Sequence, residues 1–308
     1  MDTVTALEPS HAPFFVIGSP RSGTTLLRLM LASHPRLVIP PECGFITWLY
    51  PTFGDWQSLD FSNPEKIKRF VGTVIASRKF ETWGISANQL TDAINQHHPR
   101  DYGEACALGY RIFCEHAGKP LAIWGDKNNY YLSQIEILRA IFSQARFIHI
   151  VRDGRDIACS YREVMSIDTD SPYRPELPLK IDEIAKQWAM NIQTIRQSFS
   201  ELNSSKVFEL RYEDLVADPQ GTLTNICSWL GVGFSSDMLQ FHKVNRIHRL
   251  EPTATLDWKR RTLEPVKTSA VGRYKRQLMK SEIDTFEFIA HLELGLYGYT
   301  GENPQFIR

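Results

Sequence analysis

The sequence predicts a single α/β domain in which a central parallel sheet is flanked by helices. Short apolar runs at 14–17, 119–124, 146–151 and 206–210 each stand beside a longer stretch of helical character. Alternation of that kind, with strands fewer than helices, is the pattern of a parallel sheet covered on both faces. No internal repeat, low-complexity tract or linker-like stretch divides the 308 residues, so one domain over 1–308 is the simplest count. Residues 1–12 are expected to be a flexible amino terminus.

The first strand is Phe14, Phe15, Val16 and Ile17, closed by Gly18. Leu26, Leu27, Met30 and Leu31 then recur at helical spacing, which makes the opening unit strand, loop, helix. Further helices are predicted at 64–77, 89–96, 103–117, 133–142, 181–202, 222–230 and 282–292. Two stretches resist assignment. One is 34–60, rich in aromatics and prolines; the other is 168–178, which holds Pro172, Pro175 and Pro178. Long loops in a compact domain often carry substrate contacts.

Composition narrows the function. The chain is 43% hydrophobic and 23% charged, an ordinary globular balance. Lysine plus arginine equals aspartate plus glutamate at 35 each, so no global field favours nucleic acid or an anionic membrane. Residues 1–13 carry no basic leader followed by an apolar segment, and no later run is apolar for the length of a bilayer, so a soluble, unexported chain is expected. The five cysteines are an odd number without a CxxC pair, which suits reduced thiols and a cytoplasmic address better than a disulfide framework or a zinc site.

The loop Gly18-Ser19-Pro20-Arg21-Ser22-Gly23-Thr24-Thr25 is the strongest local signal. A glycine-bearing turn between strand and helix aims several backbone N–H groups at one point, and the helix dipole adds partial positive charge there. Arg21 brings a full charge, and the hydroxyls of Ser22, Thr24 and Thr25 can donate to phosphate oxygens. The spacing from Gly18 to Gly23 matches the ATP-binding P-loop, but Thr24 stands where that loop has lysine, which disfavours an ordinary ATPase or kinase.

Residues 20–35, PRSGTTLLRLMLASHP, resemble the 5'-phosphosulfate loop and following helix of sulfotransferases, in particular the branch of tyrosyl-protein and bacterial carbohydrate enzymes. Residues 146–161, RFIHIVRDGRDIACSY, resemble the strand and helix that bind the donor's 3'-phosphate, with Arg152 and Ser160 at the two phosphate-binding positions. Two later segments are also similar. RYEDL at 211–215 looks like the segment closing the adenine pocket, with Tyr212 to stack on or hydrogen-bond the base. KTSAVGRYKRQL at 267–278 looks like the carboxy-terminal 3'-phosphate loop, with Lys267, Ser269 and Arg273 able to reach phosphate.

The resemblance implies a P-loop-like sulfotransferase fold and a sulfonate transfer from 3'-phosphoadenylyl sulfate to a hydroxyl on a carbohydrate, tyrosine, phenol or small metabolite, with no metal required. Arg21, Ser22, Gly23, Thr24 and Thr25 would cradle the leaving 5'-phosphate, and Arg21 would stabilise its developing charge. Glu42 matches the base glutamate of tyrosyl-protein sulfotransferases by ungapped counting from the loop, and Lys127 matches the lysine that approaches the sulfonate. Cytosolic phenol sulfotransferases use a histidine two residues after that lysine; Asn129 stands there, which strengthens Glu42 as the base. A metabolite kinase and an inactive nucleotide binder remain the competing readings, and neither nucleic acid nor membrane is an expected partner.

Overall fold

A computed structural model describes residues 12–301 and 303–306. The expected flexible segment 1–12 lies outside the described residues apart from Ala12. The sheet contains β1 (Phe14–Ile17), β2 (Leu37–Val38), β3 (Ile123–Lys127), β4 (Arg146–Val151) and β5 (Val207–Arg211) in the order β2-β3-β1-β4-β5. Every pairing is parallel; Val16 lies opposite Lys127 on one side and Ile148 on the other.

Helix α1 (Thr24–Ala32) leads from β1 to β2. Between β2 and β3 lie two single turns, α2 (Phe45–Trp48) and α3 (Tyr50–Phe53), then α4 (Pro64–Ile75), α5 (Ala87–His97) and α6 (Tyr102–His116). Helix α7 (Ile135–Ile141) connects β3 to β4, and α8 (Gly154–Met165) and α9 (Ile181–Ser200) connect β4 to β5. The remainder holds α10 (Tyr212–Ala217), α11 (Pro219–Leu230), α12 (Phe241–His248), α13 (Tyr274–Gln277) and α14 (Lys280–Leu296). The starts of α4, α5 and α6 are set by Asn63, Ser86 and Asp101, whose side chains accept from first-turn N–H groups.

The four residues of β1 are fully buried, which is why the strand reads as a continuous apolar run. Phe15 and Ile17 pack into one core with Phe45, Tyr110, Trp124 and Phe147, while Phe14 and Val16 face Leu27, Met30, Ile148 and Leu223 in another. Burying each such side chain contributes about 1.5–3 kcal/mol. A third cluster, around Trp188 and Phe286, joins α8, α9 and α14.

The predicted strand at 119–124 is displaced: β3 is Ile123–Lys127. Lys119 instead closes the end of α6, its N–H donating to Cys114 O at 2.8 Å and its ammonium to the carbonyls of Ala32 and His34 at 2.9 Å. The strand therefore runs through Gly125, Asp126 and Lys127, whose polarity hid it. Asp126 is buried there because the Tyr131 hydroxyl donates to it at 2.6 Å and the Tyr110 hydroxyl donates to the same oxygen. The stretch 34–60 contains β2, α2 and α3, and 168–178 forms no helix or strand.

In a parallel sheet all strand ends of one kind lie on one edge. The order places β1 at the point where connections leave to opposite sides, and ligands of such sheets bind outside the carboxyl ends there. Gly18, Lys127, Arg152 and Tyr212 all lie at that edge, immediately after or at the ends of β1, β3, β4 and β5.

Candidate active site

The loop from Gly18 to Gly23 is shaped by two close approaches. A Cβ on Gly18 would lie 2.6 Å from Ile150 O, and one on Gly23 would lie 2.5 Å from the Tyr212 ring, with Gly23 at φ +99°. Arg21 also adopts a left-handed φ of 68°, a conformation uncommon for a residue with a side chain. No side chain among the described residues caps the start of α1, and its first turn holds no acid. The N–H groups of that turn thus keep their capacity for an anion.

Two arginines converge on this loop. Arg21 Nε donates to Ser160 Oγ and Nη2 to Trp258 O, both at 3.1 Å. Arg152 is 5% exposed; Nη1 donates to Arg21 O at 3.2 Å, Nη2 to Ala270 O at 2.7 Å, and its guanidinium lies 4.5 Å from the Tyr212 ring centroid. It does not pair with Asp153 or Asp156: Asp153 binds Arg155, and Asp156 accepts from the backbone of Gly272 and Tyr274. Burial and then the neighbouring Arg152 charge bring the Arg21 pKa down to about 10. Arg152 Nε and Ser22 Oγ are buried without a hydrogen-bond partner among the described residues. Crowded cations and unmatched donors suit an anion at the loop.

A second charged group lies beside the first. Glu42, with 14% of its side chain exposed, pairs through Oε1 with Lys127, and its Oε2 lies 3.2 Å from Lys79 and 3.8 Å from Lys259. Lys127 is 1% exposed and also reaches Thr25 Oγ1 at 3.5 Å. Burial pushes the Glu42 carboxyl up, but Lys127, Lys259 and Lys79 together outweigh it and hold it well below the usual carboxylate range. Burial also pulls Lys127 down to about 8, against the pull of Glu42. Asp126, pushed up to about 6 by burial, serves the two tyrosines and the Lys127 N–H rather than the Lys127 ammonium.

A cavity of about 980 Å³ opens over both groups. Of the residues singled out in the sequence, Arg21, Gly23, Thr24, Thr25, Glu42, Arg152, Ser160, Tyr212, Lys267 and Ser269 line it. Ser22 lies buried under the loop and Lys127 behind Glu42. Arg273 is set back from the wall; its Nη1 pairs with Glu163 at 2.6 Å, while Nε and Nη2 have no partner among the described residues. The Lys267 ammonium is largely exposed and pairs with Glu264 at 2.5 Å. Of the aromatics after Glu42, Trp48 reaches the cavity, whereas Phe53 and Trp56 are core. His34 Nε2 donates to Gly233 O, and His149 is buried against Glu209, both away from the cavity lining.

Lys79 and Lys259 carry no sequence signal that pointed to them; neither belongs to a recognisable motif. The proline-rich stretch 168–178 lies across the mouth, contributing Pro172, Tyr173, Arg174, Pro175, Glu176 and Leu177 to the lining. Arg78 Nη2 ties it down on one side at Pro172 O, 2.7 Å away, and Thr169 Oγ1 on the other at Asp257 Oδ2, 2.6 Å away. Among the described residues no group of three or more His, Cys, Asp or Glu side chains is arranged to hold a metal ion.

With a glycine-bearing loop, the buried Arg152 and a carboxylate-lysine pair meeting in one cavity, comparison with known proteins becomes specific. The sequence profile described as "Sulfotransferase family" matches residues 13–236, and the chain belongs to that family. It is 26% identical to protein-tyrosine sulfotransferase 2 of Gallus gallus over 234 residues, 75% of this chain and 54% of that protein. It is 29% identical to the omega-hydroxy-beta-dihydromenaquinone-9 sulfotransferase Stf3 of Mycobacterium bovis over 261 residues, 72% of this chain and 63% of that protein. The chain thus spans about half the length of the tyrosine sulfotransferases it matches. In fold it is similar to the sulfotransferase domain of the Synechococcus PCC 7002 olefin synthase, with a TM-score of 0.57 at 23% identity over 90% of this chain and 94% of that one. No helix among the described residues is long and apolar enough to cross a membrane.

Proposed function

We propose that this protein transfers a sulfonate group from 3'-phosphoadenylyl sulfate to a hydroxyl of an acceptor, with Glu42 as general base. One observation carries the reading: within a single cavity, Arg21 and the buried Arg152, whose Nε has no partner among the described residues, stand at the loop, and the Glu42–Lys127 pair stands beside them. The loop amides, Arg21, Thr24 and Thr25 suit the 5'-phosphosulfate; Arg152 and Ser160 suit the 3'-phosphate, and Tyr212 the base. Lys267, Ser269 and Arg273 are assigned to the outer side of the 3'-phosphate.

The reaction breaks the bond from sulfur to the bridging phosphate oxygen and forms one to the acceptor oxygen, releasing 3',5'-ADP and passing the hydroxyl proton to Glu42. Arg21 and the loop N–H groups stabilise charge gathering on the departing phosphate. With Lys127, Lys259 and Lys79 around it, Glu42 is a weak base. A sulfonate draws Lys127 toward its own oxygens, and Glu42 loses its nearest cation as the hydroxyl arrives. Base strength and sulfonate binding are thereby coupled.

The names of the relatives describe a phenolic and an alcoholic acceptor, which supports a hydroxyl as the acceptor group here. Trp48 and Tyr130 at the cavity wall offer flat apolar surface to a ring or chain. Five free, buried cysteines support a reducing compartment such as the cytoplasm.

The deciding experiment is incubation with 3'-phosphoadenylyl sulfate and a panel of phenols, alcohols, sugars and tyrosine peptides, with and without EDTA, following products by mass. Sulfonated product that persists in EDTA supports the reading. Phosphorylated product from ATP and magnesium, or nucleotide binding without any product across the panel, overturns it.

A further inference from the structure

Arg28 is a charge inside an apolar helix, 1% exposed on α1. Its Nη1 donates to the carbonyls of Ile39 and Pro40, each at 3.2 Å, in the segment that leads directly into Glu42. Its Nη2 donates to Leu250 O at 2.9 Å and pairs with Glu251 Oε2 at 2.5 Å. Glu251 Oε1 in turn accepts from Lys259 Nζ and from the Thr255 hydroxyl, both at 2.6 Å, and its N–H donates to Asn245 Oδ1 at 2.8 Å. Lys259 Nζ then lies 3.8 Å from Glu42 Oε2. One chain of ion pairs therefore runs from the core of α1 to the proposed base, and it clamps the backbone on both sides of the cavity.

Stability alone is a poor reason for this chain. Taking several ions out of water costs more than an apolar filling of equal volume, and buried ion pairs often add no net stability. The charge balance is also uneven. Four cations, Arg28, Lys79, Lys127 and Lys259, face two carboxylates, Glu42 and Glu251. If Lys127 turns to a sulfonate, Glu42 keeps Lys79 and Lys259; only Lys259 of these two is held by a buried carboxylate, since Lys79 lies over the Tyr173 ring at 5.3 Å and is partly exposed. Glu251 and Lys259 both fall outside the residues 13–236 that the family profile matches.

We propose that Lys259, anchored by Glu251 and Arg28, is a positioning residue for sulfonate transfer: it tethers Glu42 at Oε2 and leaves Oε1 to the acceptor hydroxyl when Lys127 is engaged elsewhere. This rests on the proposed role of Glu42. The charged and titratable groups facing Glu42 are Lys127 of β3 with Asp126 beside it, Lys79 after α4 with Glu81 and Tyr173 behind it, and Lys259 with Glu251 and Arg28 behind it. Removing the Lys259 charge leaves Glu42 with less opposition to protonation, whereas arginine at that position retains the charge.

The test is a carboxyl 13C NMR titration of the full chain labelled at glutamate, with Glu42 identified by its loss in Glu42→Gln, alongside the pH profile of kcat/KM. In Lys259→Met the Glu42 midpoint and the acid limb of kcat/KM are expected to rise together by about one pH unit. In Lys259→Arg both are expected to stay with the native protein. An unmoved Glu42 midpoint in folded Lys259→Met, or a raised midpoint with an unmoved acid limb, overturns the assignment. The titration is read without donor or acceptor, so it decides the tether even where no acceptor is turned over; an absence of sulfonate transfer counts against the proposed function alone.

Discussion

Replacing Arg152 with methionine separates the two phosphate sites that the proposed donor requires. In the native chain its Nη1 and Nη2 hold the carbonyls of Arg21 and Ala270, while Nε is buried and unpartnered among the described residues. A phosphate meeting this guanidinium gains a charge-assisted hydrogen bond, about 1.5–3 kcal/mol. That corresponds to about a 10- to 150-fold weaker Kd for 3',5'-ADP when the guanidinium is removed. For 5'-AMP, which lacks the 3'-phosphate, the expected change is under about threefold, or about 0.7 kcal/mol. Isothermal titration calorimetry with both nucleotides reads the difference directly, and 5'-AMP controls for disturbance of the loop through the lost bond to Arg21 O. Equal weakening of the two ligands refutes the assignment, because it would mean that Arg152 acts on the shared part of the nucleotide or on the loop itself.

Glu42→Gln is expected to lower turnover about 10²- to 10⁴-fold with the affinity for 3',5'-ADP kept or tightened, as three lysines lose a carboxylate; native turnover in this variant, measured under saturating acceptor, removes Glu42 as the base. Burial depresses Lys127 to about 8, so it loses its charge as pH rises through that value, and kcat/KM is expected to fall there. Lys127→Arg should carry this limb beyond pH 10, and a limb that stays near 8 assigns it to another group. Glu251 is pushed up by burial, but Lys259 and Arg28 outweigh this and lower it from 4.5 to about 2, so its stabilisation is full above 4.5 and lost as pH falls toward 2. Urea unfolding should therefore find Glu251→Gln about 3–5 kcal/mol less stable at pH 7, the gap narrowing in acid; a gap that does not change with pH contradicts the ion-pair account.

Part of this molecule is legible in its sequence. The run Phe14 to Ile17 is apolar because both sheet faces are covered, and such a run followed by Gly18 and a helical repeat states its own conformation. Arg152 and Ser160 are close in sequence on a strand end and the following helix, so their shared direction follows from local geometry. The end of β3 is hard to read from sequence because Asp126 and Lys127 look like loop residues; of their partners only Tyr131 is near in sequence, while Tyr110 and Glu42 are 16 and 85 positions away. The short strand β2 and helix α12 give too little periodicity to register.

The strand, loop and helix around Gly18 to Thr25, the alternating α/β order and the family are legible in the sequence, since each depends on residues within a few positions of one another. It takes the folded chain to bring Glu42 among Lys79, Lys127 and Lys259, and Arg28 to Glu251 across 223 positions of chain. Pairing between buried charges is set by which loops the sheet brings to one edge. A charge seen alone in sequence carries no mark of the partner that makes its burial tolerable.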